Sequence, residues 1–171
     1  MRVVLFKINW LNPKQAFIGA ITWSNYCHTG LLFDKDPIPL VYDASESRGN
    51  VDYNKHITEF ENDIIVYEIP ENETLPYKYA IAKRYEKYDW KGIMGWFPFL
   101  GSNSPNTVYC FELVLQTLFR FKTISGYHTG DSKDLKDKLY KKPIDSEDIL
   151  ILLERAGLNP VYRGKAKGYK L

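Results

Sequence analysis

The stretch YCFELVLQTLFRF (residues 109–121) decides the class of fold, because it is the most regular pattern in the 171-residue chain. Its apolar side chains recur at the spacing of an α-helix and form one stripe, made of Phe111, Val114, Leu115, Leu118 and Phe119. Such a stripe predicts a helix that is buried along one side. Thr107 or Asn106 is the predicted cap, since short polar side chains accept hydrogen bonds from the first helical N–H groups.

Upstream of this helix the chain is dominated by short apolar runs bounded by turn residues, which are typical of β-strands. The predicted strands are residues 2–7, 17–23, 26–33, 39–45 and 63–69. Residues 45–51, which include Gly49, predict a turn or loop. The period changes after Pro70, and residues 75–88 predict a helix. Residues 88–106 contain several glycines and prolines and predict a loop with one helical turn.

Downstream, two further helices are predicted over residues 132–142 and 146–157, the second with Ser146 as its cap. The basic tail, residues 162–171, is predicted to be loosely held. An order of strands first and helices afterwards is typical of an α+β domain with an antiparallel sheet. The length favours one domain over residues 1–171.

The composition is that of an ordinary globular protein, with 44% hydrophobic and 26% charged residues. A net charge of +2 is too small to predict a nucleic-acid partner. The chain has no apolar run of about 18 residues, which predicts no membrane span. Its start does not resemble a secretion signal, so we expect a cytoplasmic protein. Two cysteines do not make a disulfide framework, and free thiols are predicted.

Cys27 and His28 are neighbours within a predicted strand. Adjacent side chains of a strand point to opposite faces, so these two are not expected to act together as nucleophile and base. Strict alternation places Cys27 on the face of Leu31 and Phe33, where it would be a buried core cysteine. A zinc site that uses Cys27, His28 and Cys110 matches none of the usual ligand spacings.

Cys110 is the better candidate nucleophile, because it lies in the first turn of the clearest helix. Backbone N–H groups at a helix start stabilise a thiolate and can hold an oxyanion. The alternative is a core cysteine at a helix start. A thiolate nucleophile also needs a base. His56 and His128 lie in polar, loop-like segments and are predicted to be solvated, whereas His28 lies on a strand. A hairpin would bring Asp43 beside His28, where its carboxylate can orient the ring.

Four segments in this order resemble the circularly permuted branch of the papain-like cysteine hydrolases, the NlpC/P60-type superfamily. They are CHTGLLFD (27–34), VYDASESRGNV (41–51), YDWKGIMGWF (88–97) and NTVYCFELV (106–114). The resemblance covers roughly residues 16–120, is nearest to members carried by bacteriophages, and leaves residues 126–171 as a helical C-terminal extension. It implies an antiparallel sheet or half-barrel packed against helices.

The resemblance also implies a site. It matches Cys110 to the nucleophile, His28 to the base and Asp43 to the orienting residue, with Ser45 as the rival for that third position. The chain departs from the family pattern at Cys27 and Phe111, where many members have Ser; neither change removes the Cys–His pair. Residues predicted to line the substrate groove are Trp90, Trp96 and Tyr109.

The implied activity is hydrolysis of an amide or ester through an acyl-thioester intermediate. The implied substrates are peptides, peptidoglycan fragments or acyl esters, and the implied chemistry requires no metal or organic cofactor. A phage-encoded member would act in the host cytoplasm or from the virion. The sequence does not predict an oligomeric state.

Two other functions stay open at this point. A binding module on the same fold would carry the Cys–His pair without using it. A nucleic-acid binder would use exposed aromatic rings and the basic residues of the tail, which are Arg163, Lys165, Lys167 and Lys170. The order of the motifs favours the hydrolase, and we expect no nucleic-acid partner.

Overall fold

The structure, a computed structural model, describes residues 1–34, 40–45, 50–70, 74–94, 107–120 and 145–170. Its strands are β1 (Arg2–Lys7), β2 (Tyr26–Leu32), β3 (Leu40–Ser45), β4 (Asn50–His56), β5 (Asp63–Glu68), β6 (Lys87–Tyr88), β7 (Thr107–Val108) and β8 (Pro160–Lys165). Its helices are α1 (Pro13–Thr22), α2 (Thr74–Ala82), α3 (Trp90–Met94), α4 (Cys110–Arg120) and α5 (Ser146–Arg155). Within these ranges, no helix combines the length and the apolar composition that crossing a membrane requires.

The described strands form one sheet in the order β7-β6-β4-β3-β2-β1-β5-β8. Neighbouring strands are antiparallel except β6 and β7, which are parallel. Near the middle of the sheet, β1 pairs with β2 on one side and with β5 on the other. The predicted α+β class with an antiparallel sheet is therefore confirmed.

Apolar side chains of alternate residues on β1 cover both faces of the sheet. Val3 and Leu5 belong to the larger core, which also contains the apolar stripe of α4 and residues of α5. Val4 and Phe6 belong to a second core on the other side, with residues of β2, β3 and β5. Burial of each large aliphatic side chain stabilises the fold by about 1.5–3 kcal/mol. The stripe on α4 therefore fixes this helix, and the cysteine at its first residue, against the sheet.

One predicted strand is a helix. Residues 17–23 fall mostly within α1, which starts after Asn12 and Pro13. The Asn12 side chain accepts hydrogen bonds from Lys14 N and Gln15 N at 3.1 and 3.3 Å, and proline is favoured at the first helical position. The strand prediction was wrong because this helix is apolar on several sides and shows no helical period.

The segment between residues 45 and 94 also differs from the prediction. Part of the predicted loop belongs to β4, which starts at Asn50 and was not expected. The helix predicted for 75–88 ends at Ala82, and a single 3₁₀ turn then leads into β6. The single helical turn expected in the following loop is α3. The helix predicted for 132–142 lies outside the described residues.

The C-terminal tail is not loosely held. Residues Pro160–Lys165 form β8, which pairs with β5 along its length, and Ala166 and Tyr169 are buried in the second core. The expected helical extension is therefore wrong for this part. The basic Lys165 forms an ion pair with Asp63 at 3.1 Å. In α5 the cap is Asp145, whose carboxylate accepts from Asp148 N at 3.0 Å, whereas the Ser146 hydroxyl is buried against that of Ser24.

Candidate active site

His28 and Asp43 come together across strands β2 and β3. The register pairs Leu31 with Tyr42, so Gly30 lies opposite Asp43 and His28 lies diagonally from it. The Nε2 atom of His28 is 2.5 Å from Oδ2 of Asp43, and the carboxylate is fully buried while the histidine side chain is 22% exposed. The predicted hairpin that joins these two residues is therefore confirmed.

Gly30 allows the two strands to approach at this point. A Cβ atom at position 30 would lie 2.4 Å from Cγ1 of Val41. No side chain fits at that distance, so the strands would have to separate. The glycine of the CHTG segment thus holds the histidine strand close to the aspartate strand.

Cys110 is the first residue of α4, and its thiol is near enough to the His28 ring to influence the pKa of the imidazole. Because Nε2 of the ring faces Asp43, Nδ1 is the nitrogen available to the sulfur. Both cysteines are free thiols. The three residues that the sequence proposes for the chemistry therefore lie near one another, with the imidazole in contact with the carboxylate and under the electrostatic influence of the thiol.

The charge on His28 follows from its two neighbours. Burial alone would lower the pKa of its imidazole, but the negative charges of Cys110 and Asp43, and the hydrogen bonds to both, raise the pKa to about 10. An imidazolium beside the Asp43 carboxylate is the protonation state of His28 that this geometry favours at neutral pH. A cysteine nucleophile uses a base in this position.

Cys27 lies on a different face from the one predicted. Phe6 pairs with His28 and Lys7 with Tyr26, so a β-bulge leaves Cys27 without a partner in the ladder. A bulge breaks the strict alternation of faces, and Cys27 packs in the second core instead of with Leu31. The expectation that it is buried is confirmed. Burial, with the nearby Cys110, raises the pKa of the Cys27 thiol to about 12, which keeps it neutral.

The start of α4 offers backbone donors. Leu113 N donates to Tyr109 O at 2.9 Å as the first bond of the helix, so the N–H groups of Cys110, Phe111 and Glu112 precede the helical ladder. The backbone of Tyr109 lowers the pKa of Glu112, against the larger effect of burial, and the carbonyl of Tyr109 accepts the first helical hydrogen bond. Tyr109, rather than the predicted Thr107 or Asn106, is therefore the capping position.

The YDWKG segment is held beside this helix start. Strands β6 and β7 pair Tyr88 with Val108, and Asp89 N donates to Val108 O at 3.2 Å. Helices α3 and α4 begin directly after these strands, so the two motifs start side by side. Asp89 is buried, and its charge acts on the carboxyl group of Glu112.

Glu112 is a buried acid at the start of α4, and the nearby Asp89 influences its carboxyl group. Burial, with a smaller contribution from Asp89, raises the pKa of Glu112 from 4.5 to about 7. Its Oε2 atom has no hydrogen-bond partner in the part of the chain that the structure describes. Gln116 donates to its other oxygen at 3.3 Å.

Glu112→Gln is expected to stabilise the protein above pH 7. A raised pKa means that the folded state holds the proton more tightly, so the contribution of Glu112 is complete below pH 4.5 and is lost as the pH rises through about 7. Gln removes this loss of stability, which is worth about 3 kcal/mol at 1.36 kcal/mol per pKa unit. Thermal unfolding of both proteins should coincide near pH 4 and diverge by pH 8. The exposed Glu154→Gln is the control, and an equal gain there would contradict the assignment.

A polar cleft of about 290 Å³ lies beside His28 and Asp43. Its lining also includes Ser45 of β3, Lys14 of α1 and Asn62 of the loop before β5. Lys14 and Asn62 are candidate substrate contacts that the sequence did not suggest, because no helix was predicted at Lys14 and Asn62 belongs to a loop. Ser45, the rival to Asp43, lines the cleft, but the contact with the His28 ring is made by Asp43.

Cys110 lies behind this cleft rather than in it. It is 3% exposed and lines a thiol chamber of about 10 Å³ together with Tyr109 and Phe111. Ile18, Cys27 and Tyr88 line both the chamber and the cleft. These three side chains therefore form the boundary that the chamber and the cleft share.

The three aromatic residues that were predicted to line the substrate groove differ in where they lie. Trp90 is half-exposed and lines an apolar groove of about 310 Å³ with Pro13, Phe17 and Ile93. This groove shares Lys14, Ile18 and Tyr88 with the polar cleft. Tyr109 is buried against Phe111, so it is not on the surface of the cleft. Trp96 lies outside the described residues, as does His128.

His56 is the other histidine that the structure describes; it ends β4 and is half-buried. In the described part of the chain, no three His, Cys, Asp or Glu side chains are grouped so that they could hold a metal ion.

No family model matches the chain, and no curated protein sequence matches it.

Proposed function

We propose that this protein is a cysteine hydrolase on a circularly permuted papain-like fold. Cys110 is the nucleophile, His28 the general base and Asp43 the residue that orients the imidazole. The single observation that carries this proposal is the His28 ring, whose Nε2 atom lies 2.5 Å from the Asp43 carboxylate and which interacts electrostatically with Cys110. The order of a histidine strand before a cysteine helix, on an antiparallel sheet, supports the fold.

The reaction begins with the thiolate of Cys110 attacking an amide or ester carbonyl. The backbone N–H of Cys110 precedes the helical ladder and is the proposed donor to the developing oxyanion. The carbon–sulfur bond forms, the tetrahedral intermediate collapses, and His28 gives its proton to the departing amine or alcohol. Water then attacks the thioester, with His28 taking its proton, and releases the acid and the thiol.

The substrate is a peptide, a peptidoglycan fragment or an acyl ester that binds in the polar cleft. Lys14 contributes a positive charge to the lining and Asn62 an amide group, which suit a substrate with carboxylate and amide groups. His28 donates and accepts the protons that are transferred in this reaction, so the proposed mechanism uses no cofactor.

Alkylation by iodoacetamide near neutral pH is expected to modify Cys110 at least about a hundredfold faster than Cys27, because thiolates are the reactive species. The imidazolium of His28 favours a thiolate on Cys110, whereas the pKa of Cys27 is raised to about 12. Mass spectrometry of tryptic peptides measures both rates in one sample. His28→Gln should slow the reaction of Cys110 and leave that of Cys27 unchanged.

A catalytically silent binding module is the second candidate, and the burial of Cys110 favours it. In such a module, Ile18, Cys27 and Tyr88 would keep the thiol chamber closed. Cys110 would then react as slowly as Cys27. Equal and slow alkylation of the two cysteines in the folded protein therefore rejects the hydrolase in favour of the module.

A further inference from the structure

Two free cysteines share the thiol chamber. Cys27 and Cys110 both line this space of about 10 Å³, which is close to the volume that a single water molecule needs. They come from different elements, since Cys27 lies on β2 and Cys110 begins α4. The chain has no other cysteine. The fold therefore brings both of its thiols, which are distant in sequence, to the walls of one small space.

Cys27 has no part in the proposed hydrolysis and is only weakly held by hydrogen bonds. The β-bulge places it away from the core of Leu31. Its sulfur donates to Phe6 O at 3.6 Å and to Lys7 O at 3.8 Å. Because a thiol is a weak donor, little free energy is lost when these bonds break. Cys27 is thus a second thiol beside the candidate nucleophile that is available for other chemistry.

The two cysteines differ in their reactivity toward an oxidant. Burial, together with the negative charge of Cys110, raises the pKa of the Cys27 thiol to about 12, so Cys27 stays protonated. The imidazolium of His28 favours a thiolate on Cys110. Peroxides oxidise thiolates to sulfenic acids, and a sulfenic acid condenses with a neighbouring thiol to a disulfide. Cys110 is therefore the residue that is oxidised first, and Cys27 is the neighbouring thiol.

The polar cleft gives a small oxidant a route to this pair. Cys27 lines the cleft as well as the chamber, and so do Ile18 and Tyr88. The cleft therefore reaches the boundary of the thiol chamber. Hydrogen peroxide is little larger than water, so it requires a much smaller opening of that boundary than a peptide or an ester does.

We propose that Cys27 and Cys110 form a reversible disulfide when the folded protein is exposed to hydrogen peroxide. The Cys110 thiolate attacks a peroxide oxygen, a sulfur–oxygen bond forms, the oxygen–oxygen bond breaks, and the departing hydroxide takes a proton from the His28 imidazolium. The Cys27 sulfur then attacks the sulfenic sulfur. The disulfide forms, the sulfur–oxygen bond breaks, and the hydroxide leaves as water with the Cys27 proton. The two sulfurs are oxidised, and the peroxide is reduced to two molecules of water.

The consequence for hydrolysis rests on the proposed function. A disulfide removes the nucleophile, and a thiol reductant restores it. A disulfide requires Cβ atoms about 3.5–4.5 Å apart, so the bond closes the chamber between the two residues. It also protects Cys110 from further oxidation to sulfinic acid, which a thiol reductant does not reverse.

Peroxide treatment of the folded full chain tests the proposal. The protein is then denatured in N-ethylmaleimide, digested with trypsin and measured by mass spectrometry. Wild type should lose both thiols together and yield one linked pair of peptides, which dithiothreitol separates. At pH 6 the pair should form at least about tenfold faster in the folded protein than in urea, because an unfolded thiol with a pKa of about 8.5 is mostly protonated.

Cys27→Ala is the matched control, because it removes the second thiol and keeps Cys110. Peroxide should convert its Cys110 to sulfinic acid, which dithiothreitol does not reverse, whereas wild type should recover both thiols. Thermal unfolding of the reduced variant shows that it folds. Sulfinic acid at Cys110 of wild type while Cys27 is still alkylated overturns the proposal. Linkage between two chains, or an equal rate in urea, overturns it too. These readouts need no turnover, so their failure is distinct from that of the hydrolase, which Cys110→Ala tests.

Discussion

Cys110→Ala is expected to lower the rate of ester or amide hydrolysis by at least about 10⁴-fold, because removing the nucleophile leaves only binding and the oxyanion donors. An activated p-nitrophenyl ester is a suitable first substrate, since a thiol hydrolase releases nitrophenol in a burst as the acyl-enzyme accumulates. The burst should be absent in the variant. The stability of the protein should change by about 1 kcal/mol or less, a usual range for a small truncation.

Cys27→Ala is the matched control for this experiment. Cys27 is also buried, also lines the thiol chamber and loses the same atom. Its sulfur donates weak hydrogen bonds to Phe6 O at 3.6 Å and to Lys7 O at 3.8 Å, and its raised pKa keeps it protonated. Hydrolysis should therefore continue in Cys27→Ala. Loss of turnover in a folded Cys27 variant, with activity retained in Cys110→Ala, would exchange the roles of the two cysteines.

The sequence predicts an element well where one face of it is buried and the other is not. The stripe on α4 repeats at helical spacing because a single side of the helix meets the sheet. Helix α1 lacks such a period because its outer side carries Phe17 and is flanked by Trp23. In β8 the inward residues Pro160, Tyr162 and Gly164 include one large side chain, which is too weak a pattern to reveal a strand.

The candidate site also combines features that the sequence predicts with features that it does not predict. The contact of His28 with Asp43 follows from a hairpin between neighbouring strands, which is local in sequence. The bulge at Cys27 depends on the register with β1, some twenty positions earlier, and alternation within β2 does not reveal it. The cleft residues Lys14 and Asn62 belong to elements whose positions depend on the whole fold. Long-range register and packing are therefore what the sequence pattern lacks.

Asp43→Asn is expected to lower the rate of hydrolysis by about 10²–10⁴-fold, since an amide neither stabilises the imidazolium nor holds the reactive tautomer. The cleft offers a direct comparison in Ser45, the other candidate for the third position. Ser45→Ala should retain most of the activity. A large loss in Ser45→Ala and a small one in Asp43→Asn would transfer the orienting role to the serine.

The same variant should change the dependence of stability on pH, which activity alone does not report. The pKa of His28 is raised from 6.5 to about 10 in the folded protein, so its contribution is complete below pH 6.5 and is lost as the pH rises toward 10. Part of that rise comes from Asp43. Wild type should therefore lose stability across this interval, on the order of a few kcal/mol at 1.36 kcal/mol per pKa unit, and Asp43→Asn should lose less.

Thermal unfolding of wild type and Asp43→Asn between pH 6.5 and about 10 measures this effect. The difference in stability between the two proteins should narrow as the pH rises. Asp63→Asn, which removes a surface partner of Lys165, controls for loss of a carboxylate elsewhere and should run parallel to wild type. If the curves of wild type and Asp43→Asn are parallel instead, the carboxylate does not hold a proton on His28. The imidazole would then depend on Cys110 alone, and Asp43 would be a buried structural residue beside an incomplete site.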